Sequence, residues 1–114
     1  GTLDLLGRDS VTINTGGEKV FAEEVEQALT SHPSVADAVV VGRPSDRWGS
    51  EVVAVLSARA GADVPPDAAL RDHCRTTLAG YKVPKAFHWV DEVARSPAGK
   101  PDYAWARAVA APRP

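Results

Sequence analysis

The sequence predicts an α+β fold, a small mixed β-sheet flanked by helices and opened by an N-terminal β-hairpin. Short alternating or continuously apolar runs have the composition and period of strands. One stretch places apolar residues at i, i+3 and i+4, the period of a helix covering a core, and a second sets Leu70 and Cys74 on one helical side. The two kinds are interspersed as hairpin, helix, strand, strand, helix, strand, loop, helix, which builds one sheet under helices. The chain has 114 residues, 44% hydrophobic and 25% charged, the size and composition of a single globular domain.

Residues 10–14, Ser-Val-Thr-Ile-Asn, alternate as a half-buried strand with Val11 and Ile13 on one face. Thr15-Gly16-Gly17-Glu18 is a turn, and Lys19-Val20-Phe21 returns as the second hairpin strand. Residues 22–30 form an amphipathic helix on Val25, Ala28 and Leu29, with glutamates near the N-terminus where the macrodipole favours them. Ser31-His32-Pro33 stops it. Residues 35–42 are almost wholly apolar at their centre, as in a strand buried on both faces. Residues 43–50, rich in turn formers, are expected as a loop, and 51–58 as the next strand. Asp67 is expected to cap a helix running to about Leu78, with Leu70, His73, Cys74 and Thr77 on one side. Residues 81–85 are a constrained linker, 86–90 a short strand and 92–101 an exposed loop. Residues 103–110 suit a terminal helix.

Composition excludes several function classes. Thirteen basic against fifteen acidic residues give a net charge of -2, without the basic excess of a nucleic-acid-binding domain. One cysteine, Cys74, allows neither an internal disulfide nor a thiolate metal site, and its place on the apolar helix side reads as inert core. No apolar run reaches the ~18 residues that cross a bilayer, and residues 1–6 lack the basic start of a signal peptide; a cytoplasmic location is the expectation. Methionine is absent, even at position 1, so either processing removed the start or the chain is a piece of a longer one. Neither a Walker phosphate loop nor a dinucleotide fingerprint is present. His32, His73 and His88 lack ligand spacing, so no metal site is expected.

Two segments are more specific. The first runs from Leu6-Gly7-Arg8-Asp9-Ser10 through Thr15-Gly16-Gly17-Glu18-Lys19 to Glu26. The second is Tyr81-Lys82-Val83-Pro84-Lys85 followed by Ser96-Pro97-Ala98-Gly99-Lys100. In this order, with Arg-Pro-Ser-Asp-Arg-Trp-Gly-Ser-Glu between them, they resemble the C-terminal domain of the adenylate-forming superfamily. That superfamily comprises acyl-CoA synthetases, peptide-synthetase adenylation domains and luciferases, and the wording is most like fatty acyl-CoA ligases. The resemblance spans about residues 5–100 and implies a mobile lid over an N-terminal domain that binds ATP and a carboxylic acid. Such a lid takes one pose for adenylation and rotates to a second for thioester formation with CoA. It implies residues 1–10 as linker and hinge, 11–110 as the lid and 111–114 as a tail, with ATP, Mg²⁺ and CoA used by the whole enzyme and none bound by the lid alone.

Position by position, the resemblance makes Lys100 the catalytic lysine that reaches the carboxylate and α-phosphate during adenylation. A compact ammonium on a flexible stem suits a centre gathering negative charge. Arg8 matches an arginine near the nucleotide ribose, with a surface ion pair to Asp9 as the alternative. The hinge falls on Ser10, where many relatives carry Asp or Lys; a small residue can still absorb a backbone rotation. Gly17 matches a glycine along the pantetheine path, with an ordinary turn glycine as the alternative. Lys19 matches a phosphate-contacting position and Arg75 one near the CoA nucleotide; a solvated surface cation is the alternative at both. Lys82 and Lys85 could meet CoA phosphates. Trp48 and Trp89 read as packing residues and Glu24 as a helix-start charge. The implied function is AMP-forming acid–thiol ligation, with the isolated lid inactive. The alternatives are a peptide-synthetase adenylation domain and a non-catalytic interaction domain of the same fold.

Overall fold

A computed structural model describes residues 12–47 and 49–111. Ser10 and Val11 of the expected first strand lie outside the described residues, as does Trp48. The hairpin comprises β1 (Thr12–Thr15) and β2 (Glu18–Phe21), with Ile13 opposite Val20. Its two-residue turn holds Gly16 and Gly17 at φ 58° and 84°, the left-handed pair that a mirror-image hairpin turn demands. Helix α1 (Ala22–Thr30) follows without a break, burying Val25, Ala28 and Leu29.

The centre of the sheet is a long antiparallel ribbon of β3 (Val35–Ser45) and β4 (Gly49–Ala58), paired from Val35↔Ala58 to Ser45↔Gly49. The expected loop over 43–50 is therefore mostly strand. Arg43 is neutralised across the ladder, its Nε donating to Glu51 Oε2 at 2.7 Å. Pro44 is tolerated because β3 lies at the sheet edge, where one side of the backbone needs no ladder partner.

Helix α2 (Asp67–Arg75) is shorter than expected. Pro66 takes the cap position, so Asp67 is the first helical residue and makes no side-chain cap. The C-terminal end tightens into a turn in which Thr77 and Leu78 both donate to Cys74 O, at 3.1 and 2.8 Å. This exposes Thr77 and buries Leu78 in its place. After a 3₁₀ turn (Gly80–Lys82), β5 (Ala86–Trp89) pairs parallel with β4 from Val53↔Ala86 to Leu56↔Trp89. That pairing makes the sheet mixed, as the sequence predicts. Helix α3 (Tyr103–Ala110) is capped by Asp102, which accepts from Trp105 N at 3.0 Å.

Helices and sheet form three layers. Under α1 and α2, Leu29, Leu70 and Cys74 pack with Val40, Val52 and Leu56. Under α3, Ala106 and Ala110 pack with Val39, Val41, Val53 and Val55. The valine runs of β3 and β4 are thus buried on both faces, each fully buried valine contributing roughly 1.5–3 kcal/mol. The hairpin is seated by Gly42, where a Cβ would stand 3.1 Å from Ile13 Cγ2; the missing side chain is what lets Ile13 approach the ribbon. Among the described residues no helix is long and apolar enough to cross a membrane.

Candidate functional site

Lys100 is exposed, on a loop whose backbone is closely hydrogen-bonded. Arg95 and Pro101 form an antiparallel bridge. Ser96 N donates to Lys100 O, and Gly99 N to Ser96 O, both at 2.8 Å. Gly99 has φ 83°, the left-handed residue that closes a hairpin turn of this length. Ser96-Pro97-Ala98-Gly99 is thus a tight turn that presents the next residue, Lys100, at a set point of the surface.

Side chains on both flanks tie this loop to the domain body. Arg95 Nε and Nη2 donate to the Asp37 carboxylate at 2.8 and 2.5 Å, and Arg95 Nη1 donates to Gly99 O at 2.8 Å. On the other flank, Tyr103 OH donates to Glu26 Oε2 at 3.0 Å. The same oxygen accepts from Val40 N at 3.0 Å, satisfying an amide on the open edge of β3. Burial raises the Glu26 carboxyl to about 7, against the two hydrogen bonds that favour its charge. Burial, then the Glu26 charge, pushes the Tyr103 hydroxyl well above its ordinary value.

Asp37, Glu26, Arg95 and Tyr103 were not legible as site neighbours from sequence. The usable signal was the Ser-Pro-x-Gly turn, which places Arg95 across from Pro101 and aims its side chain back at the sheet.

At the other end of the ribbon lie Gly17 and Lys19. A Cβ on Gly17 would meet nothing within 4 Å, so within the chain its φ alone calls for glycine. Lys19 is exposed on β2, opposite Asn14. Beside the hairpin tip, a groove of about 240 Å³ is lined by Thr15, Gly16, Glu18, Gly80, Tyr81 and Lys85. It shares Gly80 and Lys85 with a cleft of about 200 Å³ that also holds Arg71 and Arg75. One slot is mainly apolar and the other is lined by basic side chains. Arg75 is exposed and paired with Asp72 at 2.9 Å. Arg71 is occupied in structure, donating to Lys85 O at 2.8 Å. Lys82 is bound to both Glu24 carboxylate oxygens, at 2.9 and 3.0 Å, so Glu24 is an ion-pair partner as well as a helix-start charge.

Arg8 and the hinge position Ser10 lie outside the described residues. Cys74 is fully buried, its thiol pushed up to about 11 by burial, and is inert core as expected. His32 meets His73 edge to face at 5.0 Å between the helix ends. His88 is half-buried on β5, and burial, then Arg43, holds its pKa below the ordinary value. Among the described residues no group of three or more His, Cys, Asp or Glu side chains could hold a metal ion.

Residues 24–100 match the family model of the AMP-binding enzyme C-terminal domain. The chain belongs to that family. A medium/long-chain-fatty-acid–CoA/3-oxocholest-4-en-26-oate–CoA ligase of Mycobacterium tuberculosis is 56% identical over 114 residues, all of this chain and 21% of the relative. The chain therefore spans about a fifth of the length of the curated relatives it matches. Among solved structures, an acyl-CoA synthetase of Brucella canis superposes with a TM-score of 0.82 at 28% identity, covering 90% of this chain and 19% of that one. The amide bond synthetase McbA of Marinactinospora thermotolerans superposes at 0.83 with 35% identity, over 89% and 20%.

Within this AMP-binding C-terminal domain the two candidate regions are far apart. Asp37, which holds the Lys100 loop, pairs with Ser57 near one end of β4, and Thr15, beside the glycine turn, pairs with Gly49 at the other. Along the strand that is roughly 25 Å.

Proposed function

We propose that the chain is the mobile C-terminal lid of an AMP-forming acyl-CoA synthetase, which activates a carboxylic acid with ATP and passes the acyl group to CoA. The observation that carries this reading is the separation of the Lys100 hairpin from the Gly17 hairpin. No single pose can bring regions roughly 25 Å apart to one reacting centre, so a lid that uses both must present them in turn. Residues 11–110 act as that lid, residues 1–10 as linker and hinge about Ser10, and 111–114 as a tail.

In the first pose Lys100 enters the site formed with the N-terminal domain and stabilises the charge gathering on the carboxylate and α-phosphate. Arg8 approaches the ribose there. ATP supplies the adenylyl group and its Mg²⁺, held by the N-terminal domain. In the second pose the Gly17 turn lines the path of the CoA thiol arm, while Lys19 and Arg75 meet CoA phosphates. The apolar groove and the basic cleft support that placement. The names of the similar ligases support a medium- or long-chain fatty acid or a sterol side-chain acid as substrate, and a cytoplasmic location is part of the same proposal.

The test is the full-length protein assayed for acid-dependent pyrophosphate release, then for product with CoA, a phosphopantetheinylated carrier protein or an amine as acceptor. Release followed by a CoA thioester is the expected result. Transfer only to a carrier protein would favour the peptide-synthetase alternative, and transfer only to an amine would follow the likeness to McbA. Absence of release with any acid would leave an interaction domain.

A further inference from the structure

Arg95 makes three contacts that converge on the peptide preceding Lys100. Its Nε and Nη2 fork onto Asp37 at the start of β3, at 2.8 and 2.5 Å. Its Nη1 donates to the carbonyl of Gly99 at 2.8 Å. That carbonyl belongs to the peptide whose nitrogen is Lys100's own. The guanidinium thus spans from the central ribbon to the base of the Lys100 side chain. Only a planar group with several fixed donors can do both at once; an ammonium could satisfy one side or the other, not the fork and the carbonyl together.

An ion pair this exposed, with the Arg95 and Asp37 side chains at 36% and 27%, adds little to stability. The turn itself is already closed by backbone bonds between Ser96, Gly99 and Lys100. What Arg95 adds is orientation of that turn relative to the sheet. The Lys100 ammonium sits at the end of a long side chain, so a small tilt at its base is amplified at its tip. A misplacement of about 1 Å in a reacting group can cost on the order of 10²-fold in rate.

We propose that Arg95, anchored by Asp37, is a positioning residue for Lys100, setting where the lysine points when the lid is in its adenylation pose. This rests on the assignment of Lys100 to adenylation.

The experiment uses the full-length enzyme with the two half-reactions timed separately. Arg95→Ala is expected to slow adenylation by about 10- to 100-fold, while acyl transfer from supplied acyl-adenylate and the unfolding midpoint stay near wild type. Arg95→Lys should recover part of the loss, and Asp37→Asn should slow the same step less. In a Lys100→Ala background, Arg95→Ala should add no further loss, because it acts only through the lysine. Losses that multiply in the double variant, or equal loss in both half-reactions, would overturn the proposal, as would adenylation within twofold of wild type in Arg95→Ala while Lys100→Ala is crippled. Should Arg95→Ala fail to fold, Arg95→Lys and Asp37→Asn carry the same comparison. If Lys100→Ala itself leaves adenylation intact, the reading of Lys100 falls and the role of Arg95 with it.

Discussion

The Lys100 turn and the Gly17 turn are alike in backbone and unlike in what surrounds them. Each hairpin contains a left-handed glycine, Gly99 at φ 83° and Gly17 at φ 84°. At neither would a Cβ meet anything within 4 Å. Yet the first is tied to the body through Arg95, Asp37, Tyr103 and Glu26. The second is held by its own ladder and by Ile13 against Gly42, with its tip open. Under the proposed function, the difference matches that between a loop that aims a charge and a turn that leaves room. Aiming requires polar links at fixed angles, whereas leaving room requires only that no side chain occupy the space.

The largest expected break in this comparison is Lys100→Ala in the full-length enzyme. Removing one preorganised charge from a developing anion costs about 10²- to 10³-fold in rate, read as single-turnover pyrophosphate release. A paired substitution sharpens the comparison. Gly99→Ala and Gly17→Ala each force an L-residue into the left-handed region, at a cost of roughly 1–2 kcal/mol, visible as matched drops in unfolding midpoint. With equal strain, Gly99→Ala should slow adenylation and Gly17→Ala acyl transfer; slowing of the same step by both would dissolve the distinction.

The anchor at Glu26 gives a pH-dependent version. Its folded-state value of about 7 stands above the 4.5 of an ordinary glutamate, so the folded protein holds the proton more tightly than the unfolded chain. The stabilisation is complete below about pH 4.5 and is lost as pH rises through 7. Across that window the wild type should lose on the order of 3 kcal/mol relative to Glu26→Gln. Denaturant titrations of both proteins at each pH measure this, and the difference cancels the contributions of His32 and His88. A constant gap between the two curves would show that burial does not perturb Glu26. The smallest effect belongs to Arg75→Ala. Its exposed pair with Asp72 should leave stability within about 0.5 kcal/mol. Loss of a phosphate contact should raise KM for CoA roughly fivefold, about 1 kcal/mol, with kcat for adenylation unchanged.

Much of the fold was readable because period and burial coincide. Residues 22–30 and 103–110 were legible to the residue as helices, residues 35–42 as a doubly buried strand and 51–58 as a strand. The error at 43–50 came from reading a run of turn formers as loop, when residues 43–45 pair with 49–51 across an edge ladder that the Arg43–Glu51 ion pair joins. The α2 end was misplaced because the spacing of Leu70 and Cys74 projects to Thr77 on a regular helix, whereas the turn after Arg75 shifts the buried position to Leu78. Lys100 and Gly17 stand out through motif wording. Their supports do not, since Asp37 and Glu26 lie far from Arg95 and Tyr103 in sequence and meet only when β3 and α1 pack beside the loop.

The most direct test of the account crosses the two regions in one enzyme: Lys100→Ala and Gly17→Leu, each measured for adenylation and for acyl transfer from supplied acyl-adenylate. The account predicts a crossed pattern, with adenylation lost and transfer kept for Lys100→Ala, and adenylation kept and transfer lost for Gly17→Leu. Loss of the same half-reaction by both variants, or of both half-reactions by either, would contradict the claim that the two ends of this domain serve different steps.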